Sequence, residues 1–369
     1  MISQYKIKNE DIIPSPALIF NEQAIRSNIC RAIEIAGGAE RLRPHVKTHK
    51  TREIVMMQQE YGISKFKCAT IAEAEMLGLC KAADVLLAYP LVGPNVNRFI
   101  QLIKSFPETE FSAVVESRRG AELLSEAAAD SGVEVSVYLE IDPGLHRTGI
   151  APDDAAVDLY SFLNKKSFIN PVGLHCYDGH IHQSDLSDRT SEATECYQTV
   201  SWLKQKIEES GMKVQNIVIG GTPAFPIYAQ FPDVQLSPGT CFLHDWGYSK
   251  AYPEMTFNFG ALVITRVISV HPEQSIFTID IGCKAIASDP VVRGTIIGHP
   301  EAEPLFQNEE HWVFRQISGE LPAEGTILYV LPSHICPTSA LYSKAHIIDG
   351  SGVWYKNWKI EARNRRLSI

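Results

Sequence analysis

The first residues that could do chemistry are a lysine and two histidines in a basic stretch early in the chain, Arg43-Pro44-His45-Val46-Lys47-Thr48-His49-Lys50. The run 42–47 predicts a β-strand, and strand alternation would place His45, Lys47 and His49 on one face. An inward-pointing lysine is costly unless its amine reacts, and a Schiff base with pyridoxal phosphate (PLP) is one such use. On its own, the stretch is better explained as a basic, solvated strand end. Lys50 competes for the role, but we expect it to begin the next loop or helix.

Two further stretches place polar side chains after predicted strands. In 142–149, glycines on both sides of Arg147 predict a tight loop that aims the guanidinium at an acceptor. An ordinary turn with a surface arginine explains that pattern equally well. The stretch 173–182 contains three histidines and a tyrosine, namely His175, Tyr177, His180 and His182. Such a cluster can bind a metal or stack on a ring, whereas a single histidine there would more often be a core residue.

Glycine and threonine follow the last two predicted strands of the alternating region, in Gly220-Gly221-Thr222-Pro223 and Ser237-Pro238-Gly239-Thr240. Glycine lets backbone N–H groups approach a phosphate closely, and threonine hydroxyls add donors. Either turn alone needs no ligand. Because the loops after strands seven and eight commonly bind phosphate in a TIM barrel, the pair predicts a phosphate site.

A histidine and a cysteine two positions apart, His334 and Cys336, stand near the C-terminal end in Pro332-Ser333-His334-Ile335-Cys336-Pro337-Thr338. In extended backbone, residues i and i+2 point the same way, so this pair can bind one cation such as zinc. Two protein ligands leave coordination positions open for water or substrate. By itself, however, the His-x-Cys pattern is common and indicates no function.

These residues need elements to position them, and β-rich runs alternate with amphipathic stretches from residue 17 to about residue 250. The predicted strands are 42–47, 66–70, 85–89, 111–115, 133–141, 172–176, 217–220 and 234–237, and the predicted helices include 21–36, 51–60, 71–81, 118–130 and 191–209. Eight parallel βαβ-type strands over this length favour a (β/α)8 TIM-type barrel. The alternative, an open doubly wound sheet, usually has a glycine-rich turn after its first strand, where this chain has His45-Val46-Lys47-Thr48.

The C-terminal part has a different pattern. It consists of β-rich runs without intervening helices, at 261–270, 275–281, 312–317, 326–331 and 344–348. Such runs predict a separate all-β domain. We therefore predict a barrel domain at 17–248 and a β-rich domain at 249–369, which also includes residues 1–16 and carries the metal site.

Composition excludes several classes of protein. The chain has 369 residues and a net charge of −9, and its pI is near 5.8, which argues against nucleic acid or an anionic membrane as a main partner. No apolar run approaches the roughly 20 residues of a membrane span, and the N-terminal residues lack the apolar region of a signal peptide. The eight cysteines include no CxxC pair, so we expect reduced thiols in a cytoplasmic enzyme.

These motifs, in this order and over nearly the whole chain, resemble the PLP enzymes of fold type III. Within that group they are most similar to the D-serine dehydratase and D-threonine aldolase family, whose N-terminal barrel is like that of alanine racemase. The segment 43–50 matches the family's PLP-lysine segment, which implies that Lys47 is the catalytic lysine. Arg147 matches the arginine that contacts the cofactor's phenolic oxygen. His175 takes the position of a residue against the cofactor ring, with Tyr177 nearby, and the phosphate cup is matched by Gly220, Gly221, Thr222, Gly239 and Thr240.

The resemblance also implies a divalent metal, zinc or manganese, held by His334 and Cys336. Histidine and cysteine bind zinc in the dehydratase branch, whereas the aldolase branch more often has aspartate at the second position. Two positions depart from relatives. Ser237 stands where alanine racemases place an arginine against the pyridine nitrogen, which argues against racemase chemistry. Cys241 replaces an aromatic residue and leaves the cofactor contacts on that side open.

The activity implied is that of a lyase on D-β-hydroxy amino acids. Cys336 favours a D-serine dehydratase-type ammonia-lyase, which would convert D-serine or D-threo-3-hydroxyaspartate into an oxo acid and ammonia. The alternatives are retro-aldol cleavage to glycine and an aldehyde, an amino acid racemase, a non-catalytic PLP-binding protein and a metal-only barrel hydrolase. Enzymes of this family bring the β-rich domain to the barrel mouth across a head-to-tail homodimer, so a homodimer is expected.

Overall fold

The computed structural model describes residues 5–369, which divide into two compact units. Among the described residues, one unit contains 5–31, 48–54 and 240–363, and the other contains 32–47, 55–239 and 364–369. The helices are α1 Glu22–Ala36, α2 Arg52–Glu60, α3 Ile71–Leu79, α4 Pro94–Ser105, α5 Arg118–Ser131, α6 Asp154–Asn164, α7 Leu186–Glu209, α8 Phe225–Tyr228, α9 Trp246–Ala251 and α10 Ile335–Leu341. The strands are β1 Ala17–Asn21, β2 Lys65–Cys68, β3 Asp84–Leu87, β4 Glu110–Val115, β5 Val135–Ile141, β6 Ile169–Cys176, β7 Asn216–Ile219, β8 Gln235–Leu236, β9 Ala261–His271, β10 Ile276–Ile279, β11 Gly294–Ile296, β12 Ala302–Gln307, β13 Trp312–Gln316, β14 Ile327–Pro332, β15 Lys344–Ile348 and β16 Trp354–Lys359.

The second unit is a parallel barrel. Strands β2 to β8 pair in sequential order, with helices α3 to α8 between them. The segment 42–46 closes the ring, because Leu42 forms a parallel bridge with Leu236 of β8 and His45 forms one with Lys67 of β2. The predicted (β/α)8 barrel is therefore confirmed, with its first strand reduced to two isolated bridges.

The predicted strand at 42–47 is wrong at its end, because residues 46–49 form a turn. Pro44 has no N–H to give to a ladder, and the His45 ring accepts a hydrogen bond from the backbone N–H of Lys47 (3.3 Å). Strand alternation therefore stops before Lys47. The prediction that His45, Lys47 and His49 share one strand face is wrong for the same reason, and His49 is fully buried.

The barrel's other strands and helices follow patterns that are visible in the sequence. The apolar residues that line its interior form one buried cluster, Leu86, Val114, Tyr138, Val172 and Val218. Helices begin at side-chain caps, since the Thr70 hydroxyl accepts the N–H of Glu73 and the Ser117 hydroxyl accepts the N–H of Gly120. Helix α5 ends at Gly132 in the left-handed conformation. Strand edges lie within three residues of the predicted ones.

The first unit is built on a nine-stranded mixed sheet, which agrees with the β-rich C-terminal domain predicted from the sequence. Its main path is β12-β13-β10-β9-β1-β15-β16, with β14 paired to β9 and β11 paired to β14. Aromatic rings of Phe277, Trp312 and Phe314 pack together in its core. Strand β1 lies in the range that we predict for the barrel domain, but it pairs with β9 and β15 in this sheet.

No helix within residues 5–369 is both long enough and apolar enough to cross a membrane.

Candidate active site

Lys47 stands at the end of the segment that closes the barrel. Upstream of it, the backbone N–H groups of Arg43 and His45 donate to the carbonyls of Leu236 and Pro238, each at 2.8 Å. On the opposite side, the N–H of Val46 donates to the carbonyl of Lys67 at 2.9 Å. This double anchoring holds Lys47 at the C-terminal end of the barrel strands, where TIM-barrel chemistry takes place. The Lys47 amine is half-buried and has no hydrogen-bond acceptor among the described residues.

A buried arginine, Arg43, also holds this segment through its side chain. Arg43 is fully buried, and its Nη1 and Nη2 donate to Oδ1 and Oδ2 of Asp84 at 2.6 and 2.5 Å. Its Nε donates to Gln235 of β8 at 2.8 Å. Burial disfavours the charged guanidinium, but the Asp84 carboxylate outweighs that effect and raises the pKa of Arg43. The segment before Lys47 is thus tied to β3 and β8 at once.

Three cationic groups surround the ring of Tyr177, which follows β6. The Nζ atoms of Lys47 and Lys67 lie 5.3 and 5.7 Å from the ring centroid, and the Cζ atom of Arg147 lies 4.7 Å from it. Within residues 5–369, none of the three forms an ion pair with a carboxylate. Unpaired positive charges at one ring favour an anionic ligand there. The structure therefore brings three of the predicted residues, Lys47, Arg147 and Tyr177, to one place.

Lys67 was not singled out from the sequence. It is only 2% exposed on β2, and its Nζ lies 3.3 Å from Nε2 of His175. Burial lowers its pKa to about 7, and the positive charge of Lys47 acts in the same direction. The sequence contained a signal, because Lys-Phe-Lys-Cys places a lysine inside a short strand that parallel pairing buries on both faces.

His175 is held by a carboxylate on the neighbouring strand. Its Nδ1 pairs with Oε2 of Glu140 at 2.5 Å, and both side chains are buried. Burial lowers the pKa of His175 against the opposing effect of Glu140. A neutral ring that donates its Nδ1 hydrogen to Glu140 has a lone pair on Nε2 for Lys67, and we assign that tautomer from the network. His180 of the predicted cluster lies beside Gly144 instead, where a Cβ on that glycine would come within 3.5 Å of its Nε2.

The two predicted phosphate loops meet. The backbone N–H of Gly239 donates to the hydroxyl of Thr222 at 3.2 Å. Gly220 has a φ of +83°, which favours glycine, and a Cβ on Gly221 would lie 3.3 Å from the Tyr177 ring. The loop therefore passes so close to Tyr177 that a side chain at Gly221 would crowd the ring. Thr240 is also buried.

A buried acid accompanies these loops and was missed by sequence reasoning. Asp178 is 2% exposed and accepts a backbone hydrogen bond from Gly221. Burial raises its pKa to about 6, although the Tyr228 hydroxyl, the backbone N–H groups and Lys67 all favour the ionised form. Asp178 therefore provides a negative charge near Lys67 that depends on pH.

The His334 and Cys336 pair is positioned differently from the prediction. Helix α10 begins at Ile335, so His334 is the cap residue and Cys336 lies in the first turn, and the extended-backbone argument is wrong. The short helix still keeps the two side chains within hydrogen-bonding range. Asp245 stabilises this turn by accepting the N–H of Ile335 at 3.1 Å.

A carboxylate to which the sequence assigned no role orients the histidine. Oδ2 of Asp289 lies 2.6 Å from Nδ1 of His334. Burial lowers the pKa of His334, but Cys336 and Asp289 outweigh it and raise the value to about 9. The Cys336 Sγ also lies 3.1 Å from the hydroxyl of Thr48 and 3.4 Å from that of Thr240.

The donor set at this turn fits a metal in its chemistry, although it is small. An imidazole whose Nδ1 is held by a carboxylate is the usual arrangement of a histidine ligand, since it leaves Nε2 for the metal. A thiolate and an imidazole both suit zinc. Among residues 5–369, no group of three or more histidine, cysteine, aspartate or glutamate side chains could hold a metal ion. At this turn, His334 and Cys336 are the two side chains whose chemistry suits zinc.

The barrel site fits PLP. An amine without an acceptor can form the imine, the glycine and threonine loops meet where a phosphate can be bound, and the cations at Tyr177 can balance the negative charge of the cofactor. Ser237, which stands where racemases have arginine, donates its hydroxyl to the carbonyl of Arg43 at 2.9 Å.

A closed parallel barrel with such a lysine, together with a mixed β-sheet, defines the alanine racemase-like fold. The family described as alanine racemase, N-terminal domain, matches residues 20–242, and the chain belongs to it. A second family, described as putative serine dehydratase domain, matches residues 260–348.

Relatives share this arrangement over nearly their whole length. A D-threonine aldolase from Arthrobacter sp. is 25% identical over 360 residues, covering 95% of this chain and 93% of that protein. A D-serine dehydratase from Dictyostelium discoideum is 24% identical over 391 residues, with coverage of 95% and 98%. The crystal structure of D-threonine aldolase from Filomicrobium marinum has the same fold, with a TM-score of 0.89, 24% identity and coverage of 96% of both chains. Together with the family match, these relatives make the chain a PLP-dependent lyase.

Proposed function

We propose that this lyase depends on a divalent metal as well as on PLP and converts a D-β-hydroxy amino acid into an oxo acid and ammonia. D-Serine and D-threo-3-hydroxyaspartate are the proposed substrates. The observation that carries the proposal is the turn at which Asp289 orients His334 beside Cys336. A Lewis acid on these two ligands is of use to a reaction in which a hydroxyl group leaves. The D-serine dehydratase among the relatives supports the same reaction.

The barrel residues have separate tasks in this proposal. Bound PLP would supply an electron sink for the bond that breaks at Cα. Lys47 would hold the cofactor through Nζ and would take the α-proton of the substrate. Arg147 and Lys67 supply positive charge at Tyr177, and the backbone of the 220–222 loop would bind the phosphate. Burial keeps His175 neutral, and the hydrogen bond to Glu140 fixes the orientation of its ring.

The residues at the start of α10 would hold the metal. His334 would bind through Nε2 because Asp289 occupies Nδ1, and Cys336 would bind as a thiolate. The metal would supply positive charge for the oxygen of the β-hydroxyl group. Binding must displace the proton that Asp289 and Cys336 favour on His334, so we expect metal affinity to fall at low pH.

Retro-aldol cleavage to glycine and an aldehyde is the second candidate. The D-threonine aldolase from Arthrobacter sp. favours it, since it matches 95% of this chain. In that reaction a base takes the proton of the β-hydroxyl group, and the Cα–Cβ bond breaks instead of the Cα–H bond. Both reactions use Lys47 and the two metal ligands, and they differ in the proton that is removed.

A substrate panel separates these two reactions. The purified protein, loaded with PLP and zinc or manganese, would be given D-serine, D-threonine and D-threo-3-hydroxyaspartate, with the L-enantiomers as controls. Oxo acid and aldehyde would be assayed separately, and a parallel sample would be treated with EDTA. We expect oxo acid from a D-substrate, and we expect EDTA to abolish most of the turnover while the imine band near ~420 nm remains.

Each contrary outcome removes a defined part of the proposal. Aldehyde and glycine without oxo acid would make the protein an aldolase. An EDTA-treated enzyme with an unchanged rate would exclude a catalytic metal. Interconversion of D- and L-amino acids without a lyase product would point to a racemase.

A further inference from the structure

Lys67 lies where a charged side chain is hard to accommodate unless it has a partner. It stands on β2 inside the barrel, is 2% exposed, and has no carboxylate within ion-pair distance among the described residues. Burying an ammonium group in this way is costly, and an apolar residue would fill the strand position at lower cost. The side chain therefore needs an explanation beyond packing.

The position of the amine is set by the strand pair β5 and β6. Because His175 donates its Nδ1 hydrogen bond to Glu140, Nε2 is left to accept a hydrogen bond from Lys67 Nζ (3.3 Å). No other acceptor for Nζ occurs in the described part of the chain. The remaining hydrogens of the amine are therefore available to a bound ligand.

The surroundings of Lys67 make its charge responsive near neutral pH. The titratable and charged groups around it are Lys47, Arg43, Glu140, His175 and Asp178. Burial lowers the pKa of Lys67 to about 7, with Lys47 and Arg43 acting in the same direction and Glu140 and Asp178 acting against it. An anion that arrives beside Lys67 would favour its protonated form.

Lys47 and Lys67 both face the ring of Tyr177. The order of the substituents on the PLP ring relates the two lysines to each other. The aldehyde carbon of PLP, which reacts with a lysine, is attached to the ring next to the carbon that carries the phenolic oxygen. A cation on the phenolic side of the cofactor ring would therefore reach that oxygen. Arg147, which the family resemblance assigns to the phenolic oxygen, is exposed and lies over Tyr177. A second, buried cation is thus available at the same group.

We propose that Lys67 is a positioning residue that supplies a hydrogen bond and a positive charge to the phenolic oxygen of PLP bound at Lys47. This inference rests on the proposed PLP site. Its consequence is an imine that loses its proton at lower pH than it would without Lys67, since a nearby cation stabilises the less positive form.

The test compares Lys67→Met with Lys65→Met, which removes a lysine from the same strand outside the cluster. Wild type and both variants would be titrated with PLP alone, and the pH midpoint of the imine absorbance change would be measured for each holoprotein. For Lys67→Met we expect the midpoint to rise by about one pH unit or more and PLP to bind about tenfold more weakly. Lys65→Met should match the wild type in both measurements.

The melting temperature of the apoprotein provides a second measurement. Because an uncompensated buried charge is removed, we expect apo Lys67→Met to melt no lower than the wild type. A variant that fails to fold would assign Lys67 to the fold and overturn the proposal. An unchanged midpoint and an unchanged PLP affinity would overturn it as well. If wild-type protein forms no borohydride-reducible imine on Lys47, the proposed PLP site itself fails, which is a different outcome.

Discussion

Two lysines near Tyr177 differ in what holds them. Lys47 is half-buried in a turn, and its amine has no hydrogen-bond acceptor among the described residues. Lys67 is buried in a strand, and its amine is hydrogen-bonded to His175. An amine that must form and release an imine needs freedom to move. An amine that only stabilises charge is better fixed. The difference in surroundings supports Lys47 as the reacting lysine.

We predict that Lys47→Ala abolishes the borohydride-reducible band near ~420 nm and lowers kcat by at least about 1000-fold, because no imine can form. The matched control is Lys50→Ala, which removes the neighbouring lysine and should retain the band. Peptide mapping of the borohydride-treated wild type identifies the modified lysine directly. Trapping at another lysine would contradict the assignment.

A substitution at Cys336 should affect metal binding without affecting cofactor binding. We predict that Cys336→Ala binds PLP with the wild-type spectrum, retains little zinc after desalting, and loses about 100-fold or more in kcat, since one of two protein ligands is gone. Metal content by mass spectrometry and turnover are the measurements. Cys283→Ala, at an exposed thiol, is the control. Full activity in metal-depleted Cys336→Ala would exclude the ligand role.

Single elements of the barrel depend on contacts that sequence does not reveal. The segment 42–46 is held by two β-bridges and by backbone hydrogen bonds to both neighbouring strands, and the ion pair of Arg43 with Asp84 adds a side-chain anchor. The guanidinium is fully buried, and the carboxylate is about one quarter exposed. Removal of the carboxylate would leave a buried charge without a partner.

We predict that Asp84→Asn lowers the free energy of unfolding by about 2–3 kcal/mol, a value reduced for the partial exposure of Asp84. It should also weaken PLP binding, because the segment that ends at Lys47 loses an anchor. Urea denaturation and PLP titration measure the two effects. The control is Glu110→Gln on the next strand, whose side chain is exposed. Equal stability of the two variants would show that the ion pair does not hold the segment.

The prediction of helices and strands succeeded where buried strands alternate with capped helices. It failed at two places where local contacts changed the backbone conformation. Pro44 and the His45 ring turn the chain before Lys47, and the helix that starts at Ile335 replaces the extended segment expected there. A few contacts set the local backbone conformation, and the hydrophobic periodicity of the sequence does not reveal them.

The stability of the whole molecule should depend on pH through His49. Burial lowers the pKa of its imidazole from 6.5 to about 3, so the fold requires the neutral ring. The unfolded chain binds the proton below pH 6.5 and the folded chain does not until about pH 3. Stability from this group is therefore full above pH 6.5 and is lost as the pH falls.

We predict a loss from this group of about 2 kcal/mol between about pH 6.5 and 5, and a smaller loss in His49→Asn. Urea denaturation at several pH values measures both slopes. His311→Asn, at an exposed histidine, should keep the wild-type slope. Parallel slopes for wild type and His49→Asn would show that another group governs acid stability.

We also propose that the enzyme is a homodimer, as the resemblance to its family implies. Sedimentation velocity on the PLP-loaded protein should give about twice the chain mass of 41.0 kDa. A monomer at micromolar concentration would contradict this proposal.

The motifs around Lys47, Arg147 and the two glycine–threonine turns were readable in the sequence because their chemistry lies in residue type and short spacing. The alternation of strands and helices was readable for the same reason, since burial repeats with a period. Glu140, Asp289 and Asp84 were not, because each acts through a partner on another strand or loop. For Lys67 the sequence shows a lysine inside a short buried strand but does not reveal its partner. Only the folded barrel brings Lys67 to His175, 108 positions further along the chain, and burial in that barrel lowers the pKa of its amine.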